Sequence, residues 1–315
     1  MENDIIRKQN QEVSINMIAA FRQKYSDIKR VSFIQVVLSV WLSIVLGVLA
    51  LALKSQLVTG VIGVPQLDIS LYVSFYCVVI ALADLFLFNK LIDSGKELAA
   101  KIQERFDTNV LGISWNITLA GTTPDAEVIY SLKNKFYRVK GNKREHLTNW
   151  YNPKVEDVSH HKGVLLCQRM NLYWDKSLRQ AVNGRILIAL VFWCTVILIV
   201  ALAQDLSLRT LLLAVVCPLL PILSFSLKLI SDNNKSIANL TRLKEVLESA
   251  WMDATGQGIT IAKLREVQNE IYQHRKTNRP ISDRFYWKQK DEFEGDAQYS
   301  IEEMIAELEP QTAMA

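Results

Sequence analysis

Residues 167–179 read CQRMNLYWDKSLR, a segment dense in groups that bind or bridge. At roughly 100° per residue on a helix, Gln168, Asn171, Asp175 and Arg179 share one stripe, with Cys167, Met170, Trp174 and Leu178 on the next. Such a ladder is either a binding surface or a hydrogen-bonded seam between helices. Two further stretches set aromatic residues beside cations: Trp150-Tyr151 and the segment ISDRFYW at 281–287. Rings that stack on bases, with Arg or Lys on phosphates, are the parts of a nucleotide site. An aromatic core is the competing use, favoured for Trp115, Trp174 and Trp251. Arg275 falls on the helical stripe of Leu264, Val267 and Ile271, so its head is expected at a domain surface. No phosphate loop, dinucleotide fingerprint, nucleophile elbow or metal-spaced His/Cys set occurs. The expectation is a protein that is not an enzyme and has no metal or cofactor.

The elements that carry these residues are set by four apolar runs, at about 31–53, 69–88, 186–203 and 207–227. Each approaches or exceeds the roughly 18–20 apolar residues that span a bilayer. The first run is too long and too far from the start for a secretory signal. Thirteen Lys and Arg flank the outer ends of the spans, against Lys54 and Arg209 in the two short connections. The positive-inside rule then places both termini and the long middle segment in the cytosol. The expected fold is an all-α membrane protein: a cytosolic N-terminal helix (1–30), spans one and two (31–88), a cytosolic stalk and insert (89–185), spans three and four (186–230), and a cytosolic helical C-terminal domain (231–315). The cytosolic domain is expected to form from the insert and the C-terminal segment. Segment 89–185 has 16 basic and 10 acidic residues, which suits an anionic ligand or anionic head groups.

Two spans carry polar stripes. Ser32, Gln35, Ser39 and Ser43 share one face of the first. Hydrogen bonding between helices explains such a stripe, at about 1 kcal/mol per contact. A water path lined by several copies is the second explanation, ranked behind packing and compatible with it in an oligomer. In the second span Asp84 completes a face of small residues. An intramembrane acid is a functional candidate, here either an anchor satisfied by water or Lys228, or a gate. Pro218 and Pro221 loosen the fourth span.

Outside the spans, Ile6, Ile15, Ile18 and Phe21 predict an amphipathic helix. The second span is expected to continue as a stalk to about residue 106, with 107–121 extended or looped. A helix follows, with Thr123 as cap, Pro124 at its first position and Gly141 at its end. The ladder helix is expected to run into the third span as a second stalk. Past the fourth span, Leu240, Leu243, Leu247 and Trp251 mark one helix and Leu264, Val267 and Ile271 another. Ser300 and Glu303 predict a capping box before a short acidic helix.

The four-span layout, together with IQERFDTNVLGISWN, LTNWY, LLCQRMNLYWDKSLR and LREVQNEIYQHRKTNRPISDRFYW, resembles the SMODS-associating four-transmembrane effector family. The resemblance covers nearly the whole chain. It implies the effector arm of cyclic-oligonucleotide-based antiphage signalling (CBASS) in the bacterial inner membrane. A cGAS/DncV-like nucleotidyltransferase would supply a cyclic oligonucleotide, which the effector senses before it disrupts the lipid bilayer. A homo-oligomer is expected, because four helices cannot enclose a water path alone, and no direct DNA or RNA binding is expected. For such a ligand, chemistry favours Trp150 and Tyr151 for stacking and Arg169, Arg275 and Arg284 for phosphates. The competing role for Arg169 and Arg275 is pairing with acids such as Asp157 or Glu270. The ladder is then chiefly a seam between the stalks, placed to carry a cytosolic signal into the third span. A transporter or permease subunit, or a scaffold recruiting cytosolic proteins, is the alternative; no inverted repeat supports the former.

Overall fold

A computed structural model describes residues 2–141, 144–202, 207–252, 259–281, 295–296 and 298–307. Every regular element among them is helical. Helix α1 (Ile5–Gln9) precedes α2 (Glu12–Lys54), which widens into a π-helical turn at Val37–Leu42. The short α3 (Gln56–Ile62) leads to α4 (Ser70–Leu111), with a second π-turn at Asp84–Phe88. Then come α5 (Ile117–Ala120), α6 (Ala126–Lys140) and the 43-residue α7 (His160–Leu202). Helix α8 runs from Leu208–Thr210 through a π-turn at Leu211–Val216 into Cys217–Met252, and α9 is Ile261–Thr277.

The chain divides into two units. The first comprises residues 1–29, 93–180 and 235–315. Its core gathers Ile15, Ile18, Phe21, Ile102, Phe106, Leu147, Tyr151, Leu165, Leu243, Leu264 and Ile271, all nearly or fully buried. Helices α2 and α4 approach closely within it, because Gly95 leaves no room for a Cβ, which would lie 2.8 Å from Ile28 Cγ1.

The second unit, residues 30–92 and 181–234, is built the other way round. Phe33, Trp41, Val45, Leu71, Tyr72, Phe75, Phe86, Ile188, Val191 and Phe192 are exposed, while Gln35, Ser39, Ser43 and Ser70 are buried. An apolar surface this extensive is foreign to a water-facing domain. Among the described residues, Glu12–Lys54 and Ser70–Leu111 are long and apolar enough to cross a membrane. The runs at 186–203 and 207–227 fall largely on α7 and α8.

Several local expectations are corrected. Helix α4 does not stop near 106 but runs to Leu111. Asp107 and Thr108 look like breakers, yet Asp107 finds buried partners, Thr108 Oγ1 turns back onto Glu104 O at 2.9 Å, and Val110 and Leu111 are fully buried. Gly112, at φ +67°, then ends the helix. Within 107–121, residues 117–120 also form a helical turn, capped by Asn116 Oδ1 accepting from Leu119 N. Near the N-terminus the helix breaks at Asn10 and Gln11, and Ile5 is the fully buried residue while Ile6 is partly covered. Helix α6 starts from Asp125, so Thr123 and Pro124 precede it. Ser300 lies inside its helix, and its hydroxyl accepts from Arg169 instead of capping.

Candidate functional site

The first unit contains a cleft of about 970 Å³, at the upper end of the roughly 300–1,000 Å³ usual for ligand pockets. Among the described residues, six Lys or Arg side chains line it (Arg22, Lys29, Lys140, Arg179, Arg275, Arg279), against the carboxylates of Glu145 and Asp175. Trp150, Tyr151, Trp174 and Tyr25 also contribute to its walls.

The aromatic wall comes from the segment between α6 and α7, which α1 holds in place. Gln9 Nε2 donates to Tyr151 O at 3.1 Å and Tyr151 N donates to Gln9 Oε1 at 2.7 Å. Asn10 makes the same reciprocal pair with Asn149, at 2.9 and 3.0 Å. Two carboxamides thus satisfy the backbone and side chains of an irregular turn that would otherwise be left with unpaired groups. Trp150 stands edge-on to Phe21, with centroids 5.3 Å apart, and Tyr151 stacks on Phe106 at 6.2 Å.

Beneath Tyr151 lies a buried polar network around Asp107. Its carboxylate accepts from Tyr151 Oη at 2.8 Å, from Gln268 Nε2 at 3.0 Å and from the Arg275 guanidinium. Glu104 accepts from Arg265 Nη2 at 2.6 Å and shares Gln268 at 2.8 Å. Burial, reinforced by the charge of Asp107, raises the Glu104 carboxyl above its usual range despite Arg265. Burial alone would make Arg275 easier to deprotonate, but Asp107 outweighs it and fixes the guanidinium more firmly as a cation. Desolvation, then Asp107, pushes the Tyr151 phenol well up.

The ladder on α7 is hydrogen-bonded to α9, to the aromatic segment and to the segment after α9. Gln168 Nε2 donates to Leu264 O at 2.8 Å and Gln268 Oε1 at 3.2 Å, and Gln268 in turn donates to Glu104 of α4. Asn171 Nδ2 donates to Tyr151 Oη at 3.2 Å. Arg179 Nε meets Asp175 at 2.8 Å, Arg179 Nη2 donates to Arg279 O at 3.2 Å, and His274 also contacts Asp175. Burial alone would raise the Asp175 carboxyl, but Arg179 and then His274 outweigh it and the net shift is downward.

Of the ligand residues expected from sequence, Trp150, Tyr151 and Arg275 converge on the cleft, with Asn171, Asp175 and Arg179 of the ladder. Arg169 is placed elsewhere, on Glu248 at 3.0 Å and Ser300 Oγ at 2.8 Å. Arg284 lies outside the described residues, as do Tyr286 and Trp287. The acids that meet Arg275 and Arg169 are Asp107 and Glu248; Glu270 pairs instead with Arg242, at 3.4 Å. Sequence reasoning missed Arg22, Lys29, His274 and Arg279. Arg22 and Lys29 stand seven residues apart on one helix face, but in the sequence alone their charge reads as a marker of membrane orientation.

In the second unit the two polar stripes meet. Gln35 Nε2 donates to Asp84 Oδ1 at 3.1 Å, and Ser39 Oγ lies 2.9 and 2.8 Å from the two carboxylate oxygens. Asp84 therefore takes its partners from the first apolar helix, while Lys228 is exposed. Ser43 is buried on the same stripe; the Ser32 hydroxyl has no hydrogen-bond partner among the described residues. A π-turn widens the helix and disturbs its ladder. Here Tyr76 Oη donates to Leu38 O at 2.6 Å and Ser74 Oγ to Leu213 O at 3.2 Å, so α4 supplies hydroxyls to carbonyls in two π-turns.

Helices throughout the described residues, with one apolar-surfaced unit, are the architecture of a membrane protein. The chain belongs to the family described as the SMODS-associating 4TM effector domain, whose model matches residues 3–304. It is 26% identical over 293 residues to a protein of Bacillus cereus (strain VD146) named a probable CBASS effector molecule, covering 91% of this chain and 94% of that one. No solved structure matches the chain.

Proposed function

We propose that this protein is a non-enzymatic antiphage effector of the bacterial inner membrane that binds a cyclic oligonucleotide in its cleft and permeabilises the bilayer. The observation that carries this reading is the cleft itself: six cationic side chains against two carboxylates, with aromatic walls, in a unit that also contains the ladder of α7. Flat bases and one negative charge per phosphate are what such a surface complements. A family described as 4TM effectors and a relative named as a CBASS effector support the biological setting.

In this reading all four apolar runs span the membrane, with both termini and residues 89–185 in the cytosol. Ligand at Arg179 and Arg275 competes with Asp175 and Asp107 for the same guanidiniums. Arg179 sits on α7, whose chain continues into the run at 186–203. Exchange of its partner thus changes the ladder at the base of a span. Several copies assemble, and their Gln35, Ser39 and Asp84 groups line the leak.

Dye release from proteoliposomes, with a panel of cyclic di- and trinucleotides, tests the whole proposal. One or more members of the panel should trigger release; no release with any member, from protein shown to be inserted, overturns it.

A further inference from the structure

The cleft wall formed by α2 carries two of the six cations and a buried amide. Arg22, Gln23, Ser26 and Lys29 all line the cleft, and their spacing keeps them within about 120° of one another around the helix. Arg22 is steadied by donating from Nη1 to His146 O at 2.7 Å. Gln23 is 1% exposed. Its Nε2 donates to Asp27 Oδ1 at 2.9 Å, and Asp27 Oδ2 accepts from Lys135 Nζ at 2.8 Å.

That arrangement fixes the amide. A carboxylate can only accept, so the nitrogen of Gln23 must face Asp27. The other end, Oε1, is left as a buried acceptor with no donor among the described residues. Unmatched buried acceptors are rare and call for an explanation. The pattern on this wall is therefore two cations flanking an acceptor that lacks its donor. A nucleotide unit has the complementary set: a phosphate, and an exocyclic amine or ribose hydroxyl. Because Oε1 is itself covered, a ligand donor would reach it by displacing a neighbouring side chain.

We infer that the α2 wall holds one nucleotide unit of the ligand, with its phosphate on Arg22 and Lys29 and an N–H or O–H donor on Gln23. Arg179, Arg275 and Arg279, contributed by α7, α9 and the segment after α9, hold a second phosphate. The inference rests on the reading of the cleft as a site for a cyclic oligonucleotide and adds two things to it. Two of the ligand's phosphates sit on separate walls, and the helix leading into the first apolar run is part of the receptor.

Calorimetry on the full chain in detergent, with cyclic di-AMP, cyclic di-GMP, cyclic triadenylate and cyclic AMP, tests this. Wild type should bind at least one of the first three, and cyclic AMP about 100-fold more weakly. At about tenfold per lost charge-assisted contact, Arg22→Gln with Lys29→Gln should weaken binding about 100-fold. Gln23→Met should weaken it about tenfold, while its melting temperature falls by no more than a few degrees, since the lost bond to Asp27 is partly offset by relief of the unmatched acceptor. Arg30→Gln, one residue beyond the wall, should bind as wild type does. If the double variant fails to fold, Lys29→Gln and Arg22→Lys carry the test, each with about a tenfold loss. A folded double variant, or these single variants, binding as wild type overturns the inference but leaves the cleft reading standing, as does cyclic AMP binding as tightly as the larger ligands. A wild-type chain that binds none of the panel overturns the cleft reading itself.

Discussion

Asp107 and Asp84 are acids drawn into helix packing, and the two units satisfy them differently. Asp107 is fully buried and meets a guanidinium, a phenol and an amide. Asp84 is partly covered and meets an amide and a hydroxyl, both neutral. Around Asp107 the apolar side chains point inward; around Asp84 many point outward. A unit with an apolar core can afford a charged lock, because the buried charge of Asp107 is matched by Arg275. A unit with an apolar surface keeps weaker, neutral contacts on its inside, and these can be exchanged at small cost. In the proposed reading, the first design would hold the ligand site rigid, whereas the second would let helices rearrange.

The largest effect expected from this contrast is at Asp107. Asp107→Asn leaves the Arg275 guanidinium, 11% exposed, without its countercharge. Breaking one side of a buried ion pair costs about 3–5 kcal/mol. Thermal unfolding of the detergent-solubilised chain should show a fall of several degrees. A variant that melts with wild type would mean that Asp107 is not a lock.

Inverting the two surfaces comes next. Phe75 and Ile188 are 69% and 72% exposed in the second unit, and Tyr130 is 62% exposed in the first. If the second unit faces lipid, Phe75→Arg should impair insertion by up to about 2.5–3.5 kcal/mol, and Ile188→Arg, near the end of its run, by less. Tyr130→Arg should stay within about 0.5 kcal/mol of wild type. Carbonate-resistant membrane association reads both, and equal behaviour of the three variants would erase the distinction between the units.

How much of this was legible depends on how local each signal is. The apolar runs and the stripes of α2, α8 and α9 repeat within a few turns, so periodicity alone finds Ile18, Leu243 and Leu264. The end of α4 was misread because Asp107 and Thr108 oppose a helix locally, and the partners that overrule them lie 44 and 168 residues away, at Tyr151 and Arg275. Both halves of the Asp84 cluster were visible as stripes. What joined them was a contact across 45 and 49 residues, which no spacing rule reaches. The cleft was half legible for the same reason: Trp150, Tyr151 and Arg275 stood out by type, while the role of Arg22 and Lys29 needed the fold that brings them there.

A smaller effect separates the ladder from the Asp107 lock. The Asp175 side chain is 31% exposed, so solvent screens its pairs and Asp175→Asn should cost only about 1 kcal/mol near neutral pH. The folded carboxyl lies below its usual range, because Arg179 and then His274 outweigh the effect of burial. Its stabilising contribution is therefore present above the unfolded pKa of about 3.9 and fades as pH falls toward and below it. Melting curves of wild type and variant should converge on acidification. A gap that stays constant down to pH 3 would mean that charge at Asp175 contributes nothing.

The smallest change in stability is expected at Asp84. Asp84→Asn keeps one oxygen that can accept from Gln35 or Ser39 and strands no cation, so it should cost at most about 1 kcal/mol, in line with single interhelical contacts in membranes. If it lowers the melting temperature as far as Asp107→Asn does, the contrast between the two units fails. The leak gives a second reading of the same residue. A carboxylate beside a water path attracts cations, so on the pore reading Asp84→Asn should lower the ratio of cation to anion release from ligand-triggered vesicles. Gln35→Leu, Ser39→Leu and Ser43→Leu together should preserve insertion, since they make the helix more apolar, and abolish release. Variants that insert, assemble and leak with unchanged selectivity would assign the polar cluster to packing alone and place the water path elsewhere.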